Sequence, residues 1–263
     1  MRQRAEHAVE EAGRRRMNLF FSTELAPCPY LEGRRERRLV TLLDGGSGVG
    51  LHDRLLLAGF RRSQNFAYRP ACPGCQACVP VRIPVAGFRL TRGWRRILKH
   101  NADLEARERR AVATREQFEL FARYLSGRHA ESGMSEMSWD DYRAMVQDSP
   151  IETVLIEWRR PDGSLIAASL TDRGASGLSG VYKFFDPAEA ARSLGSLIIL
   201  WHVERAREQG LPYVYLGYWI AGSPKMAYKA RFGPLEHLTP AGWQPLSLPP
   251  AAETSGPGRG GEQ

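Results

Sequence analysis

Short apolar runs with strand composition alternate with helical spacing along the first part of the chain. Leu19 to Ser22 is a brief apolar segment, and Arg38 to Leu43 has the β-branched and leucine content of a strand. Gly45 to Gly48 breaks the pattern. Leu51, Leu55 and Leu56 then recur at helical spacing until Gly59 stops them, and Phe60 to Tyr68 reads as a further strand. Val79 to Val85 also has strand composition. Pro80 and Pro84 place it at a sheet edge, since proline has no N–H to give to a ladder. Residues 1–103 are expected to be a β-rich N-terminal module behind a charged, helix-prone lead that ends at Met17.

The pattern changes near Leu104, where a second unit, residues 104–248, is expected to begin. Phe118, Leu120, Phe121 and Leu125 share a helix face, and Ser138 is placed to cap another helix through Met145. Glu152 to Trp158 and Leu165 to Thr171 flank Arg160-Pro-Asp-Gly163, which has hairpin chemistry, and Gly177 to Phe185 reads as a third strand. Leu194, Leu197, Ile198 and Trp201 then form an apolar stripe that runs to Gly210, and Tyr213 to Trp219 is a strand entered through Pro212. The order hairpin, strand, helix, strand predicts an α+β chain whose second unit is N-acetyltransferase (GNAT)-like. Residues 249–263 are rich in Pro, Gly, Ser and Glu and are expected to be a disordered tail.

With 263 residues, 43% of them hydrophobic and 10% aromatic, the chain can bury a large core in one or two domains. A net charge of +8 and a pI near 9.6 favour an anionic partner, nucleic acid first among them. The lead lacks the apolar run of a signal peptide, and no stretch approaches the roughly 20 apolar residues that span a bilayer. A cytoplasmic protein is expected, and its four cysteines are then thiols or metal ligands rather than disulfides.

Four constellations carry chemistry. Cys72-Pro-Gly-Cys75-Gln-Ala-Cys78, with Cys28 upstream, supplies four soft thiolates suited to an iron–sulfur cluster or zinc, or else a turn with free thiols. Thr91 to Arg115 is strongly basic. If Gly93 to His100 is a helix, Arg92, Arg95, Arg96 and Lys99 lie on one face, where they track phosphates or are simply solvated. Val181-Tyr-Lys-Phe-Phe-Asp186 leads to Arg192-Ser-Leu-Gly-Ser196 at a helix N-terminus, an arrangement that offers N–H groups to phosphate. A coenzyme A loop would read R/Q-x-x-G-x-G/A, and here Leu197 takes the last place. Finally, Tyr213 to Phe232 sets Tyr218, Lys225, Tyr228 and Lys229 at a strand end and the following helix start, where α/β sites are commonly built.

These blocks closely resemble the R-transferase family of aminoacyl-tRNA–protein transferases, in particular its bacterial aspartate/glutamate leucyltransferase branch. The resemblance rests on Cys28-Pro-Tyr-Leu-Glu-Gly-Arg34, Gly59-Phe-Arg-Arg-Ser63, Cys78-Val-Pro-Val-Arg82, Arg95 to Leu104, Tyr182 to Pro187, Arg192-Ser-Leu-Gly195 and Leu211 to Phe232. It implies a GNAT-like domain that takes leucyl-tRNA in place of acetyl-CoA and moves leucine onto proteins beginning with Asp or Glu, marking them for degradation. The eukaryotic arginyl enzymes of the family have a second cysteine three residues after the first. Leu31 stands there in this chain, which favours the leucyl branch.

An aminoacyl ester is already activated, so no cofactor is required. The enzyme must hold an amine against the ester carbonyl, accept a proton and stabilise the oxyanion. Asp186, Lys183, Tyr182 and Tyr218 are the polar candidates, with a turn role open for Asp186. Arg62, Arg69 and Arg82 are candidates for the acceptor's carboxylate, because guanidinium binds carboxylates bidentately. Arg92, Arg95, Arg96, Lys99, Arg192, Ser193, Gly195, Lys225, Tyr228 and Lys229 are candidates for the tRNA. Leu194, Ile198 and Trp219 are candidates for a leucine pocket or for ordinary core. Competing readings are an arginyl-tRNA transferase, a coenzyme A-dependent N-acetyltransferase and a metal-containing RNA-binding module.

Overall fold

The computed structural model of the chain describes residues 18–43, 48–128 and 137–247. The charged lead to Met17, the Gly45 to Ser47 part of the expected break and the tail at 249–263 lie outside the described residues. In chain order the elements are β1 (Phe20–Ser22), β2 (Ala26–Pro27), β3 (Arg35–Glu36), β4 (Arg38–Leu42), α1 (Gly48–Leu57), β5 (Arg61–Ser63), β6 (Phe66–Pro70), β7 (Val79–Pro84), α2 (Arg92–His100) and β8 (Glu105–Arg110). There follow α3 (Arg115–Arg128), α4 (Trp139–Gln147), β9 (Thr153–Arg159), β10 (Leu165–Gly174), β11 (Gly177–Phe185), α5 (Leu194–Glu208), β12 (Tyr213–Trp219), α6 (Pro224–Ala227), β13 (Glu236–Thr239) and β14 (Gly242–Pro245).

Local chemistry accounts for the boundaries. Ser138 starts α4 with a capping box: its Oγ accepts from Asp141 N at 3.2 Å, and Asp141 Oδ2 accepts from Ser138 N at 2.9 Å. Thr91 caps α2 by accepting from Trp94 N at 3.2 Å. The Arg160–Gly163 turn closes the β9–β10 hairpin through Gly163 N to Arg160 O at 2.9 Å.

A four-stranded sheet in the order β1-β4-β6-β5 packs on α1 around Leu43, Leu51, Leu55, Phe60 and Ala67. An eight-stranded sheet runs β14-β13-β7-β12-β11-β10-β9-β8, with only the β11–β12 pair parallel. This mixture of helices and mainly antiparallel sheets is an α+β chain. Phe121 and Tyr142 of α3 and α4 pack on Phe184 of β11, while Trp201 of α5 meets Trp158 of β9 edge-on. Among the described residues no helix is long and apolar enough to cross a membrane.

Two strands differ from expectation. β7 is interior, not an edge: β12 pairs along it in register with Pro80 and Pro84, and β13 pairs on its other side at Val81 and Arg82. β8, Glu-Ala-Arg-Glu-Arg-Arg, is the true edge on the other side, and its charges suit an unpaired strand flank.

The two sheets are joined by a buried ion pair. Arg62 of β5 donates from Nε to Asp172 Oδ2 at 2.8 Å and from Nη2 to Asp172 Oδ1 at 2.7 Å, with both side chains fully buried. Thr153 Oγ1 donates to the same carboxylate at 2.8 Å, and His52 Nε2 stands 3.6 Å away, its pKa lowered chiefly by burial. A second tie is Ala175 N to Asp53 Oδ1 at 2.8 Å.

Candidate active site

β11 and β12 begin as a parallel pair at Gly177–Ser179 and Tyr213–Tyr215, and their ladder stops there. At the same level β12 bulges between Tyr215 and Gly217 against β7. Arg61 of β5 reaches into the gap. Its Nη2 donates to Gly180 O at 2.6 Å and Val181 O at 3.0 Å, just past the end of the β11–β12 ladder. Gly217 has φ +73°, and a Cβ there would fall 1.6 Å from Arg61 Nη1, so only glycine leaves room for the guanidinium.

Polar and aromatic groups gather around this gap. Lys229 is buried, donates to Tyr218 O, and has its pKa held well below the usual lysine value by burial and by Arg61 and Lys183. Lys183 Nζ donates to Gly195 O at 2.9 Å and lies 4.8 Å from the Tyr228 ring centroid. The Tyr218 hydroxyl donates to Gly59 O at 3.0 Å or Tyr68 O at 3.1 Å, and its pKa is raised mainly by burial. Tyr30 is exposed at the surface, and its pKa is raised by the burial it has and then by Tyr68. Among the described residues neither Arg61 nor Lys229 has a carboxylate partner.

The structure thus brings together Lys183, Tyr218, Tyr228, Lys229 and Gly195, and disperses others. Tyr182 packs edge-on against Phe121 instead, with its pKa raised by burial. Asp186 caps a 3-10 turn over Pro187–Arg192 by accepting from Ala188 N at 2.9 Å, the turn role left open for it. Arg62 is sealed against Asp172. Arg82 lies between Tyr213 and Trp243, 3.4 and 4.2 Å from their centroids, and its Nε donates to Glu236 at 2.7 Å. Arg69 is exposed, 5.3 Å from the Phe60 ring centroid. Leu194 and Ile198 are core residues, and Trp219 is half-buried at the end of β12.

Of the candidate tRNA contacts, Arg92, Arg95, Arg96 and Lys99 are exposed on α2, which is anchored by buried Trp94 stacked on Phe232 at 4.5 Å. Arg192 pins the C-terminal end of α2: its Nη1 and Nη2 donate to Asp103 at 2.8 and 3.0 Å, and Asn101 Nδ2 donates to Arg192 O at 2.9 Å. Ser193 is exposed and left-handed at φ 55°, ψ 42°, directly before α5, a conformation rare outside glycine and asparagine. Lys225 is exposed on α6. A separate hollow of about 500 Å³ on the β8 edge is lined by Arg107, Arg109 and Arg110 of β8 and by Glu157 and Arg159 of β9, with β10 between β9 and β11.

The Cys78 thiol is pushed up to about 11 by burial and by Cys28, Cys72 and Cys75 nearby. The Cys75 thiol is held low by hydrogen bonds from the Ala77 main chain and from Arg34 Nη1, the latter at 3.2 Å. Cys72 Sγ accepts from Arg37 N at 3.4 Å. Among the described residues no group of three or more His, Cys, Asp or Glu is arranged to hold a metal ion.

Residue-level reading missed Arg61, Tyr68 and Gly217. Arg61 lay within Gly59-Phe-Arg-Arg-Ser63, but only the strand's parity distinguishes it from Arg62, which faces the opposite way.

The arginine-tRNA-protein transferase C-terminus family model matches residues 116–239, and the N-terminus model matches residues 26–96. An aspartate/glutamate leucyltransferase of Parvibaculum lavamentivorans is 56% identical over 236 residues, covering 90% of this chain and 98% of its own length. Aspartate/glutamate leucyltransferases of Gluconacetobacter diazotrophicus and Caulobacter vibrioides are 54% and 53% identical, over 88% and 87% of this chain and 89% and 84% of their own lengths. Among solved structures, L-PGS from Bacillus licheniformis aligns at a TM-score of 0.41 and 14% identity over 56% of this chain and 48% of its own, too slight a likeness to define the fold. On the strength of both family models and of relatives matched over most of their length, the chain belongs to the arginine-tRNA-protein transferase family of aminoacyltransferases.

Proposed function

We propose that the chain transfers leucine from leucyl-tRNA to the α-amine of proteins beginning with Asp or Glu, in the cytoplasm, marking them for degradation. The observation that carries this reading is the cationic gap between β11 and β12, with Arg61 and Lys229 in it and basic α2 beside the chain leading to it. The names of the relatives supply the substrates.

The order of antiparallel β9, β10 and β11, then α5 and parallel β12, supports a GNAT-like second unit at 104–248 whose strand separation receives the aminoacyl end. Residues 1–103 supply the acceptor side through β5 and β6. The exposed face of α2, with Arg92, Arg95, Arg96 and Lys99, takes tRNA phosphates, and Lys225 and Ser193 flank the 3′ end.

The chemistry follows from the charges. The acceptor amine, with a reference pKa of about 8, is mostly protonated at neutral pH. Cations close by favour its neutral form, so the gap raises the fraction able to attack the ester carbonyl. Lys183, beside Gly195 and the Tyr228 ring, stabilises the oxyanion as it forms. The amine's proton passes to the departing ribose oxygen, and the new amide and free tRNA leave. An arginyl group would meet like charge here, which favours leucine as donor. The cysteines remain candidate ligands for zinc or an iron–sulfur cluster, but no step depends on either.

The test incubates purified protein with leucyl- or arginyl-tRNA and peptides that begin with Asp, Glu or Ala, and weighs the products. Leucine added only to Asp and Glu peptides is expected. No adduct, or an arginine adduct, overturns the reading.

A further inference from the structure

Recognition of an acidic N-terminal residue requires a cation at the reaction gap that is not already paired. Among the arginines of the first module, Arg62 is spent on Asp172 and Arg82 on Glu236, while Arg69 is exposed beside Phe60. Arg61 differs. Its hydrogen bonds to described residues both come from Nη2 and go to main-chain carbonyls, so they order the guanidinium without neutralising it. A guanidinium has five N–H donors, which leaves Nη1 and Nε for a ligand. Nη1 is the nitrogen that lies over Gly217, in the space a side chain would fill.

Lys229 stands behind it, bound to Tyr218 O and surrounded by Arg61 and Lys183, with Cys78 the one nearby group that favours its charge. Burial beside Arg61 pushes Lys229 toward its neutral form, and an anion that joins them restores its charge. Tyr68 and Tyr218, whose rings are 6.3 Å apart, pack beside this gap. Such a setting suits a small planar acid on a peptide better than a nucleic-acid backbone, which the exposed arginines of α2 suit.

We propose that Arg61, held in the separation of β11 and β12 and backed by Lys229, binds the side-chain carboxylate of the acceptor's first residue and so sets the preference for Asp and Glu. This rests on the leucyl-transfer reading above. Arg61 bonds the carboxylate through Nη1, and Lys229, held on Tyr218 O next to Gly217, backs it. Holding the acid at this point places the α-amine of the same residue toward the ester carbonyl. Arg61 is thus a specificity-determining residue that touches substrate.

The experiment compares wild type, Arg61→Gln and Arg61→Lys with leucyl-tRNA and peptides beginning Glu, Gln, Asp or Asn. Arg61→Gln is expected to lower kcat/KM for Glu and Asp peptides roughly 100-fold, mainly through KM, and to bring the Glu-to-Gln ratio near unity. Arg61→Lys should recover part of that ratio, and leucyl-tRNA affinity by filter binding should stay within about threefold of wild type. Thermal melts confirm that the variants are folded, and the lysine variant serves if the glutamine variant is not. A wild-type Glu-to-Gln ratio in folded Arg61→Gln overturns the proposal, as does a loss of tRNA binding in place of a loss of selectivity, which would assign Arg61 to phosphate. A wild-type enzyme that adds leucine to no acidic peptide refutes the function itself, a result distinct from either.

Discussion

Replacing Arg62 by Met isolates the buried clasp between the two sheets. The substitution keeps the side chain's length and apolar stem but removes both donors that hold Asp172, at 2.8 and 2.7 Å. Asp172 is then left buried as an anion with Thr153 Oγ1 at 2.8 Å and a histidine, His52, that burial keeps toward its neutral form. Breaking one side of a buried pair costs about 3–5 kcal/mol, because the survivor keeps its desolvation penalty and loses its partner. For a chain of this size that is a fall in Tm of roughly 6–20 °C. Urea unfolding at pH 7, followed by tryptophan fluorescence, measures the loss. The Arg62→Met/Asp172→Leu double variant should regain most of it, since no charge is then stranded, giving a coupling energy of at least about 2 kcal/mol. Arg62→Met within about 1 kcal/mol of wild type, or a double variant no better than the single, would refute the reasoning. At a temperature where it is folded, Arg62→Met should keep wild-type selectivity for Glu over Gln, because Arg62 faces away from the gap that Arg61 enters.

Gly217→Ala puts a Cβ 1.6 Å from Arg61 Nη1 at φ +73°, so Arg61 must leave the gap; transfer to Glu peptides should drop at least about tenfold, as in Arg61→Gln, with circular dichroism little changed. His202, buried with Nε2 2.8 Å from Thr171 Oγ1, has its pKa lowered to about 3 by burial and then by Lys183. Since the unfolded chain takes up that proton near pH 6.5 and the folded one does not, stability falls as pH drops from about 6.5 toward 3. Between pH 7 and 5 the loss is roughly 2 kcal/mol, and a His202→Gln variant should lack that share of the pH slope in urea titrations. Cys75, whose thiol pKa is lowered, should be alkylated by iodoacetamide at pH 7.5 well before Cys78, pushed up to about 11, and Arg34→Gln should slow Cys75; peptide mass mapping that shows Cys78 modified first contradicts this order.

The helices and the central strands were legible because their apolar periods are strong and their ends carry caps and turns. Leu194 to the Gly210 stop and Tyr213 to Trp219 gave α5 and β12 to within two residues, and Ser138 marked the start of α4. β8 was hidden because an edge strand of Glu, Ala and Arg has no apolar face to show. The prolines of β7 pointed to an edge, since composition cannot reveal that strands far along the chain pair on both sides of it. In the site, Tyr218, Tyr228 and Lys229 were found as a block at one strand end and Lys183 in the Val181–Asp186 segment, whereas choosing Arg61 over Arg62 needed the strand's facing. That facing is fixed by partners far along the chain, Gly180 and Asp172, which no local pattern identifies.

β7 lies between β12 and β13 although it is made far earlier in the chain. During synthesis Val79–Pro84 leaves the ribosome with both flanks bare and waits for Tyr213–Trp219 to emerge before its longer ladder can close. The nascent chain therefore carries this strand unpaired until Trp219 has been made. A cut at 103–104 would leave the larger fragment with a slot one strand wide, so the two pieces would regain activity only by reassembling around that missing plank.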